Sequence, residues 1–381
     1  MKSKMTNDSM SNSNILIVFA GKTTTADIMV RLMTEYSKAR PVNVRTKEVL
    51  ELTGADIEWS DTVIIVRGAD YFLSRIIVKA KKAGKRCLFY IDDDLLAVYK
   101  DNIEFYEYLK ICLETADILW TSNHNILDKY SKYVSEVARC INTIVMDPWD
   151  CLQKYQENEG KVKIVFAGSP SHEKAIRKYI YPAIKEIYQN YSEIEILLVG
   201  YEGTSFDGKE SYIRTTGWFN NTEDYRDFLI REKVQIGIAV IEDSEFGRCK
   251  FYNKFLEYTK LGIMGIYSNC EPYTLVVKDG VNGILVNNTV EDWKKALITA
   301  INSQKLREQC VNNAQSLLIS KYSTQAVIDG IHSAMPELES FKSTRKDVNY
   351  NIGMLLFKYR MKRYCRCIRH PFMTVKAILN I

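Results

Sequence analysis

A chain of 381 residues with 46% hydrophobic content is long enough to bury two cores of ordinary domain size, and a net charge of +5 from 52 basic and 47 acidic residues gives its body no nucleic-acid signature. Nine cysteines, an odd count without a Cys-x-x-Cys pair, and a start without a signal-peptide apolar core fit a reduced, cytoplasmic setting. The longest apolar runs fall far short of the roughly twenty residues that span a bilayer, and with only four histidines no zinc site is expected.

In chain order, residues 15–20 read as a buried strand that ends at a glycine turn, and Ile17-Val-Phe-Ala-Gly21 returns as Ile164-Val-Phe-Ala-Gly168. A continuous apolar strand, a tight turn and a helix open a Rossmann-like half, so two such beginnings predict two halves. The first continues with a helix over 25–38, strands at 42–45 and 62–67, a helix over 71–83 and a strand at 86–91. Helices over 103–116 and 123–133, a strand at 118–121 and a closing strand at 141–145 complete the alternation of a doubly wound sheet. Asp92-Asp93-Asp94 follows the strand at 86–91 directly, which places it at the sheet's carboxyl end. Three adjacent carboxylates either cap a helix beginning near Leu95 or serve a site in the cleft between the halves.

Asp147-Pro-Trp-Asp150 and the polar run 153–160 read as a linker. The second half has strands at 162–167, 194–199, 212–215 and 236–239, with a helix reaching about residue 191. Gly168 and Ser169 end its first strand, where backbone amides can meet phosphate or sugar oxygens. Gly217-Trp218-Phe219 follows a later strand, and Trp218 reads either as a core aromatic or as a stacking surface for a base. Phe251, Phe255, Leu256, Tyr258 and Leu261 recur at helical spacing before the stop at Gly262 and a strand at 263–268. On that helix Lys250, Lys254 and Glu257 lie three or four residues apart, able to share one face. Cations suit a diphosphate and a carboxylate suits a ribose diol; the plain alternative is a solvated ion pair.

The succession Lys254-Phe-Leu-Glu-Tyr-Thr-Lys-Leu-Gly-Ile263, Ser268, Glu271-Pro-Tyr273 and Asp279-Gly-Val-Asn-Gly-Ile-Leu285 resembles the donor-binding domain of the group 1, family four glycosyltransferases. The resemblance implies the GT-B fold: α/β, with two Rossmann-like domains facing across a cleft. The acceptor domain is expected at 14–147, a linker at 148–160, the nucleotide-sugar domain at 161–325 and a basic helical extension at 326–381. Of two glutamates eight positions apart that the family often carries, Glu257 matches the second, which contacts the donor ribose, and the first falls at Cys249.

By this likeness the chain is expected to move a sugar from a nucleotide-sugar donor to a hydroxyl of a surface glycan or lipid-linked precursor, with retention, no metal and no cofactor. Asp92, Asp94 and Lys254 are the expected catalytic residues; Gly168, Ser169, Gly217, Trp218, Lys250, Lys254 and Glu257 are the expected donor contacts. The acidic run is also similar to the metal-chelating Asp-x-Asp of GT-A enzymes, but the donor-type segments lie in the other half. His124 is a weaker candidate for the family's acceptor-domain histidine. A nucleotide-sugar-binding partner subunit and a sugar-nucleotide epimerase share the architecture and stay as alternatives. After Asp347 the chain has no acid, yet it carries Lys358, Arg360, Lys362, Arg363, Arg366, Arg369 and Lys376 among large apolar residues. The segment 348–381 therefore reads as a peripheral helix on an anionic cytoplasmic membrane face or as a helix packed on the protein, and not as a nucleic-acid site.

Overall fold

The computed structural model of the chain describes residues 12–21, 23–134, 137–141, 152–158, 160, 161–168, 172–204, 206, 208, 210–219, 221–344, 354, 357 and 361. The described residues fall into two compact units, one from 1–145 and 327–381, the other from 146–326.

In the first unit the elements run β1 (Ser13–Phe19), α1 (Thr24–Ala39), β2 (Val42–Glu48), α2 (Gly54–Trp59), β3 (Thr62–Val66), α3 (Tyr71–Lys82), β4 (Arg86–Ile91), α4 (Leu95–Val98), α5 (Ile103–Thr115), β5 (Ile118–Thr121), α6 (His124–Tyr130) and β6 (Val137–Cys140). The strands form one parallel sheet in the order β2-β1-β3-β4-β5-β6. Thr62–Val66 is buried at every position, because helices cover both faces of a parallel sheet and its central strands must be apolar throughout. Strand β6 precedes its expected place at 141–145: Val137–Cys140 pairs with β5, and the Ile141 carbonyl instead accepts from the Trp120 indole. Residues 142–145 lie outside the described ones.

The second unit runs β7 (Val162–Ala167), α7 (Glu173–Ala175), a π-helical turn at Ile176–Ile180, α8 (Tyr181–Tyr188), β8 (Ile194–Val199), β9 (Ile213–Thr216), α9 (Thr222–Arg231) and β10 (Ile236–Ala239). It continues with α10 (Glu245–Arg248), α11 (Asn253–Lys260), β11 (Met264–Ser268), β12 (Ile284–Val286), α12 (Val290–Asn302) and α13 (Gln304–Tyr322). Its sheet is also parallel, in the order β12-β11-β10-β7-β8-β9. Residues 152–158, expected as linker, run along this unit. The Gln153 amide donates to the Lys260 carbonyl at the end of α11, and Glu157 pairs with buried Arg307 at 2.9 Å. Gly262, with φ +69°, ends α11 where a Cβ would fall 2.6 Å from the Lys154 carbonyl, so only glycine fits both the left-handed turn and the close strand of chain.

Two further helices, α14 (Thr324–Ala334) and α15 (Glu337–Ser340), bring the chain back to the first unit. Val327, Ile328, Ile331, Met335 and Leu338 join the core of Ile15, Met29 and Tyr36, and the Tyr36 hydroxyl donates to Glu339 at 2.7 Å. The basic tail at 348–381 lies outside the described residues except Met354, Phe357 and Met361, which are helical and exposed.

Candidate functional site

In both units the chemistry-bearing side chains gather where strands end and helices begin. In the second unit the segment expected as one helix is two, α10 and α11, with a turn at Cys249–Tyr252 between them. Lys250 therefore lies in the turn rather than on the same helix as Lys254 and Glu257. The hydrophobic spacing from Phe251 is real, but the chain breaks between the two helices, and Cys249, where the resemblance puts the family's first glutamate, is 2% exposed. On α11, Lys254 Nζ bonds both oxygens of Glu257, at 2.8 and 3.0 Å. The Tyr225 hydroxyl on α9 donates to Glu257 Oε1 at 2.6 Å.

Burial, and after it the positive charges of Lys250 and Lys254, hold the His172 imidazole below the ordinary value of 6.5, opposed by a hydrogen bond with the Val240 backbone. The His172 ring packs edge-on against Phe166 at the end of β7, with centroids 6.0 Å apart. A Cβ at Gly168 would fall 2.9 Å from Phe166 and 3.4 Å from His172, so this turn leaves no room for a side chain. Ser169 lies outside the described residues. Trp218 is not a core aromatic: it is 63% exposed. Its ring lies against Gly200, at the end of β8. Gly217 approaches the Glu202 carboxylate, 2.7 Å from where its Cβ would be. Beneath these groups Ser268 accepts from the Ile241 amide at 2.9 Å and donates to Asn288 at 2.8 Å, fixing the loop that leads into α10. Two ammonium groups, an imidazole, a carboxylate and an exposed indole thus share one end of this sheet.

In the first unit, Asp92 accepts from the Thr25 hydroxyl at 2.8 Å, and Arg67 reaches Asp93 at 2.9 Å, Asp92 at 3.8 Å and the Thr25 hydroxyl at 3.0 Å. Arg67 has φ +52°, a conformation uncommon outside glycine, held by its amide donating to the Tyr90 carbonyl at 2.8 Å. Burial raises the Asp92 carboxyl above the ordinary value, opposed by Thr25 and Arg67. Asp94 is different, and the catalytic role expected of it does not fit its surroundings. It has no exposed surface, caps α4 through the Ala97 amide, and bonds Lys129 and the Tyr130 hydroxyl, each at 2.8 Å. A carboxylate without exposed surface is not presented to an incoming hydroxyl. His124 is the first residue of α6. Thr25, Arg67, His172 and Tyr225 are the residues that sequence reasoning missed. Among the described residues no group of three or more His, Cys, Asp or Glu side chains could hold a metal ion.

Residues 253–317, from α11 into α13, match the family model of the glycosyl transferases group 1. Over 85% of its length the chain is similar in structure to HepE of Anabaena in complex with UDP and glucose, with a TM-score of 0.62 and 11% identity, the match covering 100% of that chain. The chain has the GT-B fold and carries a group 1 glycosyl transferase segment at residues 253–317. The sucrose-phosphate synthase of Thermosynechococcus elongatus is a second structural neighbour, with a TM-score of 0.58 and 10% identity over 86% of this chain and 99% of the other. A third is the lipopolysaccharide outer core galactosyltransferase WaaB in its apo form, with a TM-score of 0.55 and 13% identity over 85% and 99%. No curated protein matches the sequence. Lys254 and Glu257 lie inside the matched segment, and Lys250 lies just before it. No helix among the described residues is long and apolar enough to cross a membrane.

Proposed function

We propose that this chain is a glycosyltransferase that moves a sugar from a nucleotide-sugar donor to a hydroxyl of a surface glycan or its lipid-linked precursor, with retention at the sugar carbon and without a metal. The observation that carries the donor half is the meeting of Lys254 with both oxygens of Glu257 inside the group 1 segment. In the donor complex the ammonium groups of Lys250 and Lys254 neutralise the departing diphosphate, and the positive charge a metal would supply comes from them. Glu257 accepts the ribose hydroxyls, the Gly168 turn admits phosphate or sugar oxygens close to backbone, and Trp218 lies beside the base. Asp92 and Arg67 are the acceptor-side groups: a carboxyl raised by burial and aimed from a sheet's carboxyl end is suited to orient or deprotonate an attacking hydroxyl. HepE, which resembles this chain in fold, is described with UDP and glucose, in line with this reading. The buried thiol of Cys249 favours one second reading, a partner subunit that binds the donor without turnover.

The donor assignment is tested by calorimetry of nucleoside diphosphates on single variants. Glu257→Gln weakens binding by about 1 to 3 kcal/mol, because a charge-assisted hydrogen bond becomes a neutral one. Lys254→Ala lowers both affinity and turnover. Unchanged affinity in a folded Glu257→Gln protein makes Lys254–Glu257 a plain ion pair.

A further inference from the structure

The carboxylate of Glu257 has two holders of different kinds. Lys254 stands on the same helix and touches both of its oxygens. Tyr225 stands on α9, 32 residues earlier, and donates its hydroxyl to Oε1 at 2.6 Å. Its ring is fixed from behind: Phe219 lies 5.8 Å from it between centroids, and Phe219 in turn packs on Phe228 at 5.1 Å. Lys254 Nζ sits over the Tyr225 ring at 5.5 Å, so the three side chains form one cluster.

The two holders differ in what they do when a donor arrives. Lys254 is the cation placed to turn toward a diphosphate, and an ammonium group on a flexible four-carbon stem has the freedom to do so. Tyr225 is uncharged and donates its hydroxyl to Glu257. Burial, and then the charge of Glu257, push its phenol well above the ordinary value of 10.0, so it remains a donor at any working pH. We propose that Tyr225 is the positioning residue of the ribose site, keeping Glu257 in its ribose-accepting orientation when Lys254 moves to the diphosphate. The proposal rests on the reading of Glu257 as the ribose acceptor. It makes α9, which follows the Gly217-Trp218-Phe219 segment, a part of sugar recognition without touching the nucleotide.

The test compares ribonucleoside diphosphates with their 2′,3′-dideoxy counterparts on the full-length protein. UDP, ADP and GDP are titrated first, and the tightest binder is carried forward with its dideoxy form. Wild type prefers the ribonucleotide, and Glu257→Gln removes that preference. Tyr225→Phe keeps the ring and its packing, and is expected to lower the preference about fivefold to tenfold while dideoxy binding stays as in wild type. The double variant is expected to be no worse than Glu257→Gln alone. Two results overturn the proposal while Glu257→Gln still loses the preference: full ribose preference in Tyr225→Phe, or equal weakening of both ligands, which marks a packing role. A Glu257→Gln protein that keeps the preference, or no binding of any of the three, overturns the underlying reading instead.

Discussion

The Trp218 indole fills the space that a side chain at Gly200 would take: a Cβ there would lie 2.9 Å from Trp218 Cζ2 and 3.0 Å from the Gly168 carbonyl oxygen. Gly200 also has φ +89°, which other residues adopt only with strain. Gly200→Val is therefore expected to displace the indole and to cost about 1 to 3 kcal/mol of stability. Trp218→Ala removes a ring that is 63% exposed, so it leaves the melting temperature within about a degree while weakening nucleotide binding. Thermal melts alongside calorimetry separate the two effects. A Trp218→Ala protein that binds nucleotides normally removes Trp218 from the site.

Asp92 and Asp94 are two residues apart and are expected to respond in opposite ways. Burial disfavours the charge of Asp92. Asp92→Asn removes that penalty and is expected to stabilise the protein by about 0.5 to 1 kcal/mol while transfer falls by about a hundredfold or more. Asp94→Ala leaves Lys129 and the α4 cap without their carboxylate, and is expected to destabilise by about 3 to 5 kcal/mol. Denaturant melts and turnover on both variants check this. A destabilised Asp92→Asn would make Asp92 structural as well.

The neighbourhood of His172 implies a direction in pH. Its imidazole is held below the ordinary value of 6.5 by burial, Lys250 and Lys254. The unfolded chain takes up the proton first as pH falls, so the group costs stability below about 6.5 and nothing well above it. On acidification from about pH 7.5 to about pH 5.5, the wild-type melting temperature is expected to fall further than that of His172→Gln. Equal slopes in the two melts contradict a His172 imidazole whose charged form is disfavoured by burial and by the two lysines.

The alternation of strands and helices is legible because buried parallel strands must be nearly all apolar, as in Thr62–Val66 and Ile194–Val199. Gly262 is legible as a stop because no other residue suits its backbone. The turn at Cys249–Tyr252 is not, since Phe251 keeps the helical period while tertiary packing buries Cys249. Sequence places Asp92 at a sheet edge, but Thr25 and Arg67 join it from 67 and 25 residues away, through pairing of β1, β3 and β4. Tyr225 is hidden for the same reason: nothing in its own segment announces a carboxylate on another helix.

For the tail, we expect full-length protein to bind vesicles rich in anionic lipid at low salt, through seven basic residues and apolar ones such as the exposed Met354, Phe357 and Met361. Salt weakens the basic contribution by screening and leaves part of the apolar one. Removing residues 348–381 is expected to abolish vesicle binding and leave nucleotide affinity unchanged. Sedimentation with vesicles reads both forms. Full-length protein that stays in the supernatant at low salt makes the tail a helix packed on the protein.

The central claim is turnover of a nucleotide sugar, and release of free nucleoside diphosphate measures it most directly. Purified protein is incubated with a panel of nucleotide sugars, with and without membrane extract as acceptor source. The account predicts release with one donor, strongly increased by extract and lost in Lys254→Ala. Conversion of the donor to an isomeric nucleotide sugar without release would point to an epimerase. Tight nucleotide binding with no release, under either condition and for every donor, would contradict the claim and leave a binding partner subunit.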